Sequence, residues 1–161
     1  MPAKIQQTVC IVSPLGILKI EGDDNGVSAI RIDEAGIISN QIPTELQDVV
    51  TQLQEYFNKQ RTQFDVRLQP AGTDFQKKVW TELQNIPHGT TISYLNLAKK
   101  MGNPKVIRAV AAANGKNPLL IVIPCHRVIG ADGSLTGFSA GLWRKKWLLE
   151  HEILEPQGQL F

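Results

Sequence analysis

Hydrophobic and polar residues alternate along the first part of the chain, a pattern typical of β-strands with one buried face. Turn-forming runs rich in Gly, Pro, Asp and Asn interrupt the alternation twice. The pattern predicts three strands, at residues 4–13, 17–21 and 27–32. Strands joined by such short turns form an antiparallel β-meander.

A helical period replaces this alternation further along the chain. Apolar residues three or four positions apart predict one amphipathic helix from Thr44 to about Asn58, and renewed alternation predicts a strand over 64–68. Strands with a helix on one face make a small α+β unit, and we expect this one to act as a scaffold because it has no catalytic constellation. A break containing Pro and Gly then predicts two domains, 1–70 and 71–161.

The second domain is predicted to be mainly helical. Thr73 and Gln76 form a capping box before its first helix. Ser93 is placed to cap the second helix, and Pro104 suits the first turn of the third. The helices are predicted at residues 74–84, 94–101 and 104–113. The short connection between the last two is typical of a helix-turn-helix.

A short apolar run, a Gly-rich stretch and a final helix complete the second domain. The run at 119–123 predicts a buried strand, which a Pro-Cys-His-Arg sequence follows directly. The Gly-rich stretch at 130–141 is too long for a hairpin turn, and long loops in compact domains tend to be functional. The final helix is predicted over 142–151. Its inward-facing residues are Trp147, Leu148 and Leu149.

Charge separates the two predicted domains. The whole chain of 161 residues has a formal net charge of only +2. Residues 1–70 hold six Lys and Arg against nine Asp and Glu, whereas residues 71–161 hold eleven against six. All three His and all three Trp also lie in the second domain, so we expect the function there.

Composition and the pattern of the N-terminus predict the compartment. Apolar residues make up 42% of the chain and charged residues 20%, which is ordinary for a globular protein. The N-terminus lacks the pattern of a signal peptide, and the longest apolar run is far shorter than the ~20 residues of a membrane span. With only two cysteines, we expect a cytoplasmic protein without a membrane segment.

Cys125 is the first candidate for chemistry, and the residues around it leave two interpretations. After an apolar run it fits a small buried hydrophobe. It also fits a nucleophile, because a Pro ends the predicted strand before it and the cationic neighbours His126 and Arg127 favour a thiolate. Adjacent side chains on a strand point to opposite faces, so Cys125 and His126 can converge only in a turn or through a water. Glu150 and Glu152 are both candidates to orient the imidazole.

Cys10 has different surroundings from Cys125. It lies in a predicted strand without a basic neighbour, and we interpret it as a core residue. The first 87 residues contain no His, so a zinc site there is not expected. A reducing compartment also argues against a disulfide between Cys10 and Cys125.

The helix-turn-helix and the basic balance of the second domain predict DNA binding, because neutralising phosphates needs Lys and Arg. Lys105 and Arg108 are well placed on or beside its second helix. Arg108 stands among alanines, a layout that lets the backbone approach closely while one long side chain projects as a wedge. Four other lysines are interpreted as solvated helix-face residues: Lys99, Lys100, Lys145 and Lys146.

A DNA-binding helix beside a candidate nucleophile predicts chemistry on a base, which must be rotated out of the duplex to react. The segment Ile-Pro-Cys-His-Arg-Val-Ile at 123–129 resembles the active-site signature of the O6-alkylguanine-DNA alkyltransferases, also called methylated-DNA-[protein]-cysteine S-methyltransferases. The resemblance extends from Thr73 to Glu152. Its further motifs are Ile92-Ser93-Tyr94, Gly102-Asn103-Pro104-Lys105, Arg108-Ala109-Val110, Asn117-Pro118, Ser139, Gly141-Leu142 and Trp147-Leu148-Leu149-Glu150-His151-Glu152.

The resemblance implies a fold and an activity. The fold is α+β, with a ribonuclease-H-like N-terminal domain and a mainly helical, winged-helix-like C-terminal domain that contains the helix-turn-helix. The activity is DNA repair by direct reversal, in which Cys125 irreversibly takes the alkyl group from O6-alkylguanine or, as a second substrate, O4-alkylthymine. Each molecule acts once. The resemblance further implies a monomer that binds double-stranded DNA in the minor groove, without a cofactor or a metal.

The resemblance also assigns roles to individual residues. His126 takes the thiol proton through a water, and Glu152 orients the imidazole. Tyr94 donates a proton to a ring nitrogen of the guanine, and Asn117 braces the turn that holds the thiol. Arg108 fills the place that the flipped base vacates. The residues expected to contact DNA or the base are Arg108, Ser139, Tyr94, Ser93, Arg127 and Lys105.

Two alternative functions remain. A non-reacting protein of the same family that only binds the lesion lacks the acceptor cysteine, so the presence of Cys125 argues against this alternative. A cysteine hydrolase on a helical scaffold would turn over repeatedly. Counting the equivalents that react therefore distinguishes a hydrolase from an alkyl acceptor.

Overall fold

The computed structural model of the protein describes residues 5–153. The chain divides into two compact units between Ala71 and Gly72. None of the described helices is both long and apolar enough to cross a membrane.

The first unit contains a three-stranded antiparallel sheet in the order β1-β2-β3. The strands are β1 (Gln7–Ser13), β2 (Gly16–Asp23) and β3 (Gly26–Ile32). Val9 lies opposite Ile20 and Ile20 lies opposite Ile30, so these side chains form one fully buried row across the sheet. The predicted meander is confirmed.

Helix α1 (Gln47–Phe57) follows a 3₁₀ turn at Thr44–Leu46. It contacts β1, and its buried side chains recur at helical spacing. The buried apolar and aromatic residues of α1 are Val49, Val50, Leu53 and Tyr56. The predicted helix is confirmed, with its first turn in the tighter 3₁₀ form.

The predicted strand at 64–68 is wrong. The segment makes only a single bridge, between Leu68 and Val27. The Gln52 side chain on α1 accepts a hydrogen bond from the Asp65 N–H at 2.8 Å and donates one to the Asp65 carbonyl at 3.0 Å. The backbone groups of Asp65 are therefore occupied by a side chain and not by a neighbouring strand.

The interpretation of Cys10 as a core residue is also wrong. Cys10 is half-buried, on the sheet face opposite to Val9 and Ile11. Its N–H donates to the Ser39 hydroxyl and its carbonyl accepts from the Ser39 N–H, both at 3.0 Å. Since Val9 and Ile11 take the buried face of β1, the residue between them cannot share it.

The second unit is mainly helical. Its elements are α2 (Asp74–Leu83), β4 (Ile92–Ser93), α3 (Tyr94–Lys100), α4 (Ile107–Gly115), β5 (Val128–Ile129) and α5 (Leu142–Glu152). The predicted caps are confirmed: Thr73 and Gln76 form a capping box, and the Ser93 hydroxyl accepts from the Asn96 N–H at 3.0 Å. Pro104 opens a 3₁₀ turn that leads into α4.

Helices α3 and α4 contact each other in the predicted helix-turn-helix arrangement. Helix α4 continues past the predicted end at Ala113, through Asn114 to Gly115. The Trp80 indole N–H on α2 donates to the Ala113 carbonyl at 2.8 Å and so anchors this last turn. Asn114 therefore lies on a helix, with its side chain buried, and not in a loop.

The apolar run at 119–123 is buried, but it forms a turn instead of the predicted strand. Ile121 at its centre has a φ of 74°, a left-handed conformation that strands do not use. The Asn117 side chain accepts from the Leu119 N–H at 2.9 Å and donates to the Ile123 carbonyl at 2.7 Å. One side chain thus binds both ends of the segment and holds it in a turn.

Strands β4 and β5 pair in parallel, with Ile92 opposite Val128 and Ser93 opposite Ile129. This pairing fixes the start of α3 beside the chain that follows Cys125.

On α5, Leu148 and Leu149 are buried as predicted. Trp147 is only half-buried, and its ring stacks on His151 at a centroid distance of 4.6 Å.

Candidate active site

Cys125 begins a single 3₁₀ turn, Cys125–Arg127, directly before β5. The residue is buried, with 3% of its surface exposed. The expectation that it ends a strand is wrong, because the preceding segment is a turn. A tight turn is the geometry that adjacent Cys125 and His126 side chains need in order to converge.

Glu152 on α5 binds two side chains of this turn. Its Oε2 atom lies 2.8 Å from His126 Nε2, and its Oε1 atom accepts from Arg127 Nε at 2.8 Å. All three residues are buried. Glu150, the other carboxylate that spacing allowed, lies 3.8 Å from the Lys146 ammonium instead. The geometry therefore selects Glu152 as the partner of the imidazole.

Burial and charge set the protonation of this pair. Burial alone would raise the pKa of Glu152, but His126 and Arg127 outweigh it and hold that pKa well below its usual range. Burial lowers the pKa of His126 even though Glu152 opposes the change, so the imidazole is neutral at pH 7. Because a carboxylate only accepts, Nε2 of His126 donates and its lone pair lies on Nδ1. Among the described residues, Nδ1 has no hydrogen-bond partner.

Arg127 was expected to contact DNA or the base, but the structure uses its side chain inside the protein. It is buried, and its guanidinium donates to both carboxylate oxygens of Glu152. A further nitrogen, Nη1, donates to the Ile86 carbonyl at 2.7 Å. The guanidinium is thus used inside the protein, where it keeps Glu152 charged and in place.

Lys145 is not a solvated helix-face residue, contrary to the sequence interpretation. It has no exposed surface, and its Nζ atom donates to the Thr136 carbonyl at 2.8 Å. The ammonium lies 5.7 Å from the centre of the Tyr94 ring. Burial lowers the pKa of Lys145 to about 8, and Cys125 opposes that change. A sequence signal existed: Lys145 stands three and four residues before Leu148 and Leu149, on their inward face.

The thiol itself is held in its protonated form. Burial raises the pKa of Cys125 to about 11, although the Asn117 amide and the Lys145 ammonium pull it down part of the way. The cationic neighbours that the sequence suggested do not lower it, because His126 is neutral and Arg127 is paired with Glu152. Cys125 therefore needs a base before it can act as a nucleophile.

Side chains from two helices bind the same carbonyl group of the Gly-rich loop at 130–141. The Tyr94 hydroxyl on α3 and the Lys145 ammonium on α5 both donate to the Thr136 carbonyl, at 2.9 and 2.8 Å. Burial raises the pKa of Tyr94, so its hydroxyl keeps its proton at pH 7. Ser139, on the same loop, is exposed.

Two buried asparagines form hydrogen bonds to the backbone of the thiol turn and of the segment before it. Asn117 binds the turn at 119–123 through both atoms of its amide. Asn114 on α4 donates from Nδ2 to the Cys125 carbonyl at 3.3 Å. The sequence assigned Asn117 to this region but missed Asn114, because it placed the end of α4 at Ala113, two residues before the observed end at Gly115.

The remaining predicted residues lie on or near the surface of the helix-turn-helix. Arg108 on α4 and Lys105 before it are exposed. Ala109 and Ala112 are also exposed, so the outer face of α4 combines small side chains with one long cation. Ser93 is half-buried, and its hydroxyl caps α3.

The structure therefore defines a class of protein: a helix-turn-helix unit that buries a cysteine next to a His–Glu–Arg cluster. The chain matches two family models. The one described as "6-O-methylguanine DNA methyltransferase, DNA binding domain" matches residues 74–154. The one described as "6-O-methylguanine DNA methyltransferase, ribonuclease-like domain" matches residues 10–70.

Individual relatives agree with this match. A methylated-DNA–protein-cysteine methyltransferase from Methanosarcina acetivorans is 42% identical over 147 residues, which cover 87% of this chain and 94% of the relative. The crystal structure of Mycobacterium tuberculosis O6-methylguanine methyltransferase superposes with a TM-score of 0.85 at 40% identity, covering 96% and 97% of the two chains. A structure of M. tuberculosis OGT in complex with DNA has a TM-score of 0.80 at 44% identity, with coverage of 89% and 90%. The chain belongs to the 6-O-methylguanine DNA methyltransferase family.

Proposed function

We propose that this protein repairs double-stranded DNA by taking the alkyl group from O6-alkylguanine and keeping it on Cys125. Family membership and the DNA-bound relative support DNA as the partner. The observation that carries the proposal is the buried thiol turn, in which His126 follows Cys125 and lies 2.8 Å from Glu152. Displacement at carbon requires a thiolate, and this turn holds both a protonated thiol and a neutral base.

The first step is removal of the thiol proton. Nδ1 of His126 accepts it through one water, and the resulting imidazolium is stabilised by the Glu152 carboxylate at Nε2. Arg127 keeps Glu152 ionised throughout. The Lys145 ammonium and the Asn117 amide then stabilise the negative sulfur, because both already lower the pKa of Cys125.

The second step is a single displacement at the alkyl carbon. A carbon–sulfur bond forms as the carbon–O6 bond breaks, and the electron pair of the broken bond remains on the guanine. Tyr94 donates its proton to a ring nitrogen, so that a neutral base leaves. In the structure this hydroxyl donates to the Thr136 carbonyl, and the base replaces that acceptor. Ser139 contacts O6 from the same loop.

DNA is bound through the outer face of α4. Exposed alanines allow this helix to approach the minor groove closely, and Arg108 enters the duplex where the base has rotated out. Lys105 adds a phosphate contact at the start of the same face. Such contacts carry little sequence information, which suits a protein that must find a lesion in any sequence.

The thioether on Cys125 is stable and no described group reverses it, so each molecule reacts once. The protein acts as a cytoplasmic monomer on O6-alkylguanine and, as a second substrate, O4-alkylthymine. The first unit serves as the scaffold of the second.

The decisive experiment is an intact-mass measurement after incubation with a duplex that contains one O6-methylguanine. We expect one methyl group on the native protein, localised to Cys125 by peptide mapping, and none on the Cys125→Ser variant. The DNA should contain guanine in an amount equal to the methylated protein.

Three other outcomes contradict the proposal in different ways. Unmodified protein with intact lesion that remains bound indicates a non-reacting lesion binder. Repaired DNA in excess of the protein indicates turnover, as a cysteine hydrolase would give. Methyl transfer that persists in Cys125→Ser places the acceptor elsewhere.

A further inference from the structure

The first turn of α5 buries two adjacent cations, and both of them bind the Gly-rich loop. The Lys145 ammonium donates to the Thr136 carbonyl at 2.8 Å, and the Arg144 guanidinium donates from Nη1 to the Ala140 carbonyl at 2.7 Å. Arg144 is 9% exposed, and Lys145 has no exposed surface. The proposed mechanism uses Lys145 to stabilise the thiolate, but it gives no role to Arg144.

The two hydrogen bonds hold opposite ends of one short stretch of the loop. Thr136 and Ala140 are four residues apart, and Ser139, which contacts O6 in the proposed mechanism, lies between them. Ser139 is exposed, so its position follows from the backbone that carries it. Whatever holds this stretch of backbone therefore also places the Ser139 hydroxyl.

The backbone around Ser139 forms a tight turn. The Gly141 N–H donates to the Phe138 carbonyl at 3.1 Å, so Ser139 and Ala140 are the two central residues of a β-turn. The Phe138 side chain is buried on one side of Ser139, and the Arg144 guanidinium binds the Ala140 carbonyl on the other. The bond from Arg144 thus restrains the half of the turn that Phe138 does not anchor.

The exposed ring of Trp143 supports this guanidinium. Trp143 is 54% exposed, although its side chain is large and apolar. The guanidinium carbon of Arg144 lies 4.5 Å from the centre of the ring, within the range of a cation–π interaction. A planar guanidinium that stacks on a ring has fewer orientations available, so Trp143 favours the one that reaches the Ala140 carbonyl.

We propose that Arg144 is a positioning residue for alkyl transfer, which acts through the Ala140 carbonyl to hold Ser139 where it contacts O6. This inference rests on the proposed function. O6 gains negative charge as its bond to the alkyl carbon breaks, and a donor that is already in place stabilises this charge without reorganisation. Arg144 supplies that order from inside the protein, whereas Ser139 makes the contact.

The first test is a double-mutant cycle in single-turnover methyl transfer. Arg144→Met should slow transfer at saturating DNA about tenfold, because the loop loses a hydrogen bond from a charged group. In the Ser139→Ala background the same substitution should slow transfer by less than about twofold, because its effect passes through Ser139. Arg144→Lys, which keeps a cationic donor, should recover part of the rate. The matched control Arg31→Met, at an exposed arginine of the first unit, should keep the native rate.

Hydrogen exchange gives a second readout that does not depend on reaction with DNA. The Gly141 amide closes the turn, so its exchange should be about tenfold faster in Arg144→Met and about threefold faster in Trp143→Ala. Exchange of the Leu149 amide, further along α5, should keep its native rate in both variants. Trp143→Ala changes an exposed side chain, and it replaces Arg144→Met in the cycle, with an expected slowing of about threefold, if Arg144→Met does not fold.

Each outcome bears on one claim. A native transfer rate in Arg144→Met overturns the role of Arg144, and so does a tenfold effect that persists in the Ser139→Ala background. Equal acceleration of exchange at Gly141 and Leu149 also overturns it, because the substitution then weakens the whole unit. Absence of methyl transfer from O6-methylguanine to the native protein overturns the proposed function instead, so the two failures are distinguishable.

Discussion

The two units of this protein bury different kinds of side chain. Of the eight buried polar or charged residues that the structure describes, only Gln52 lies in the first unit. The other seven are Asn114, Asn117, His126, Arg127, Arg144, Lys145 and Glu152. Burying polar groups costs free energy unless every one is bonded, so this concentration indicates that the second unit is built for chemistry.

The ion pairs of the two units show the same difference. In the first unit, Arg31 donates to Glu21 at 2.9 Å, and more than half of the arginine side chain is exposed. In the second unit, Arg127 and His126 bind Glu152 with almost no exposure. Exposed pairs contribute about 0–1 kcal/mol to the free energy of unfolding, whereas removing one member of a buried pair costs about 3–5 kcal/mol. The Arg31–Glu21 pair of the first unit therefore adds little to the free energy of unfolding, whereas loss of either partner of the Arg127–Glu152 pair in the second unit is costly.

The largest expected effect comes from removing the charge of Glu152. We expect Glu152→Gln to lower the free energy of unfolding by about 3–5 kcal/mol, because Arg127 is left buried without a counter-charge. Methyl transfer should slow by about 10²-fold or more, since the His126 tautomer is no longer fixed. The matched variant Glu21→Gln should change stability by less than about 1 kcal/mol and leave transfer unchanged. Urea titration measures the free energy of unfolding, and single-turnover kinetics measure the rate of methyl transfer. Equal effects of Glu152→Gln and Glu21→Gln would contradict the difference between the two units.

Acid should also test the contribution of Glu152 to stability. The pKa of Glu152 is held below its unfolded value near 4.5, so the folded state binds fewer protons than the unfolded state. The stability that Glu152 supplies is therefore complete above about pH 4.5 and is lost as the pH falls below that value. A stability profile that is as steep at acid pH in Glu152→Gln as in the native protein would exclude this explanation.

The next largest effect compares two side-chain amides that each hold a stretch of backbone. Gln52 binds both backbone groups of Asp65, and Asn117 binds Leu119 and Ile123. We expect Gln52→Ala and Asn117→Ala each to cost about 1–3 kcal/mol of unfolding free energy, because each removes hydrogen bonds from a side-chain amide to two backbone groups.

Activity should separate these two variants. Asn117→Ala should also slow methyl transfer by about tenfold, because the turn that positions Cys125 loses its brace and the thiol loses a stabilising hydrogen bond. Gln52→Ala should transfer the methyl group at the native rate once folded. Thermal melting and single-turnover kinetics on the same samples provide both readouts, and slow transfer by Gln52→Ala would contradict a difference in function between the two units.

The side-chain amides of Gln52 and Asn117 account for the two parts of the fold that were predicted wrongly from the sequence. Periodicity and capping residues predicted the meander, α1, α2 and the helix-turn-helix, because those signals lie within a few residues of the element they define. The predicted strands at 64–68 and 119–123 were wrong for one reason. In each, a side chain amide binds the backbone groups that a sheet would need, and a pattern of apolar residues does not report such a bond.

The candidate site was predictable to a similar degree. The motif at 123–129 located Cys125 and His126, but the choice between Glu150 and Glu152 needed either the resemblance or the geometry of α5. Charge alone predicts that Arg127 and Lys145 are exposed, but both are buried. Burial of a cation depends on contacts from distant segments, here Glu152 and the Thr136 carbonyl, and these appear only in the folded chain.

Adjacent lysines on α5 offer a smaller and more specific comparison. Lys145 is buried and lowers the pKa of Cys125, whereas Lys146 is exposed and lies 3.8 Å from Glu150. We expect Lys145→Met to raise the pKa of the thiol and to move the pH profile of its reaction with iodoacetamide to higher pH, which slows the reaction about tenfold at pH 8. Lys146→Met should leave the profile unchanged. Identical profiles for the two variants would exclude Lys145 as the stabilising cation.

Stability against pH gives Lys145 an independent test. Its pKa is about 8 in the folded protein against 10.5 as the ordinary value, so between these values the unfolded state binds more protons. The contribution of Lys145 to the free energy of unfolding should therefore rise as the pH increases from about 8. The rise should be seen between about pH 8 and 9, because above the ordinary Cys value of 9.0 the raised pKa of Cys125 has the opposite effect. Lys145→Met should lack this rise, and a rise that persists in the variant would assign it to another group.

The smallest effect concerns the two cysteines, one in each unit. Cys10 is half-buried on the outer face of β1, and it binds Ser39 through its own backbone N–H and carbonyl, not through its thiol. We expect Cys10→Ser to change the free energy of unfolding by no more than about 0.5 kcal/mol, because the side chain lies outside the apolar core. Methyl transfer should be unaffected, and a peptide map should find the methyl group on Cys125 alone. If Cys10→Ser instead abolished methyl transfer, the reactive thiol would be Cys10 in the first unit. The concentration of buried polar side chains in the second unit would then not identify the reactive cysteine.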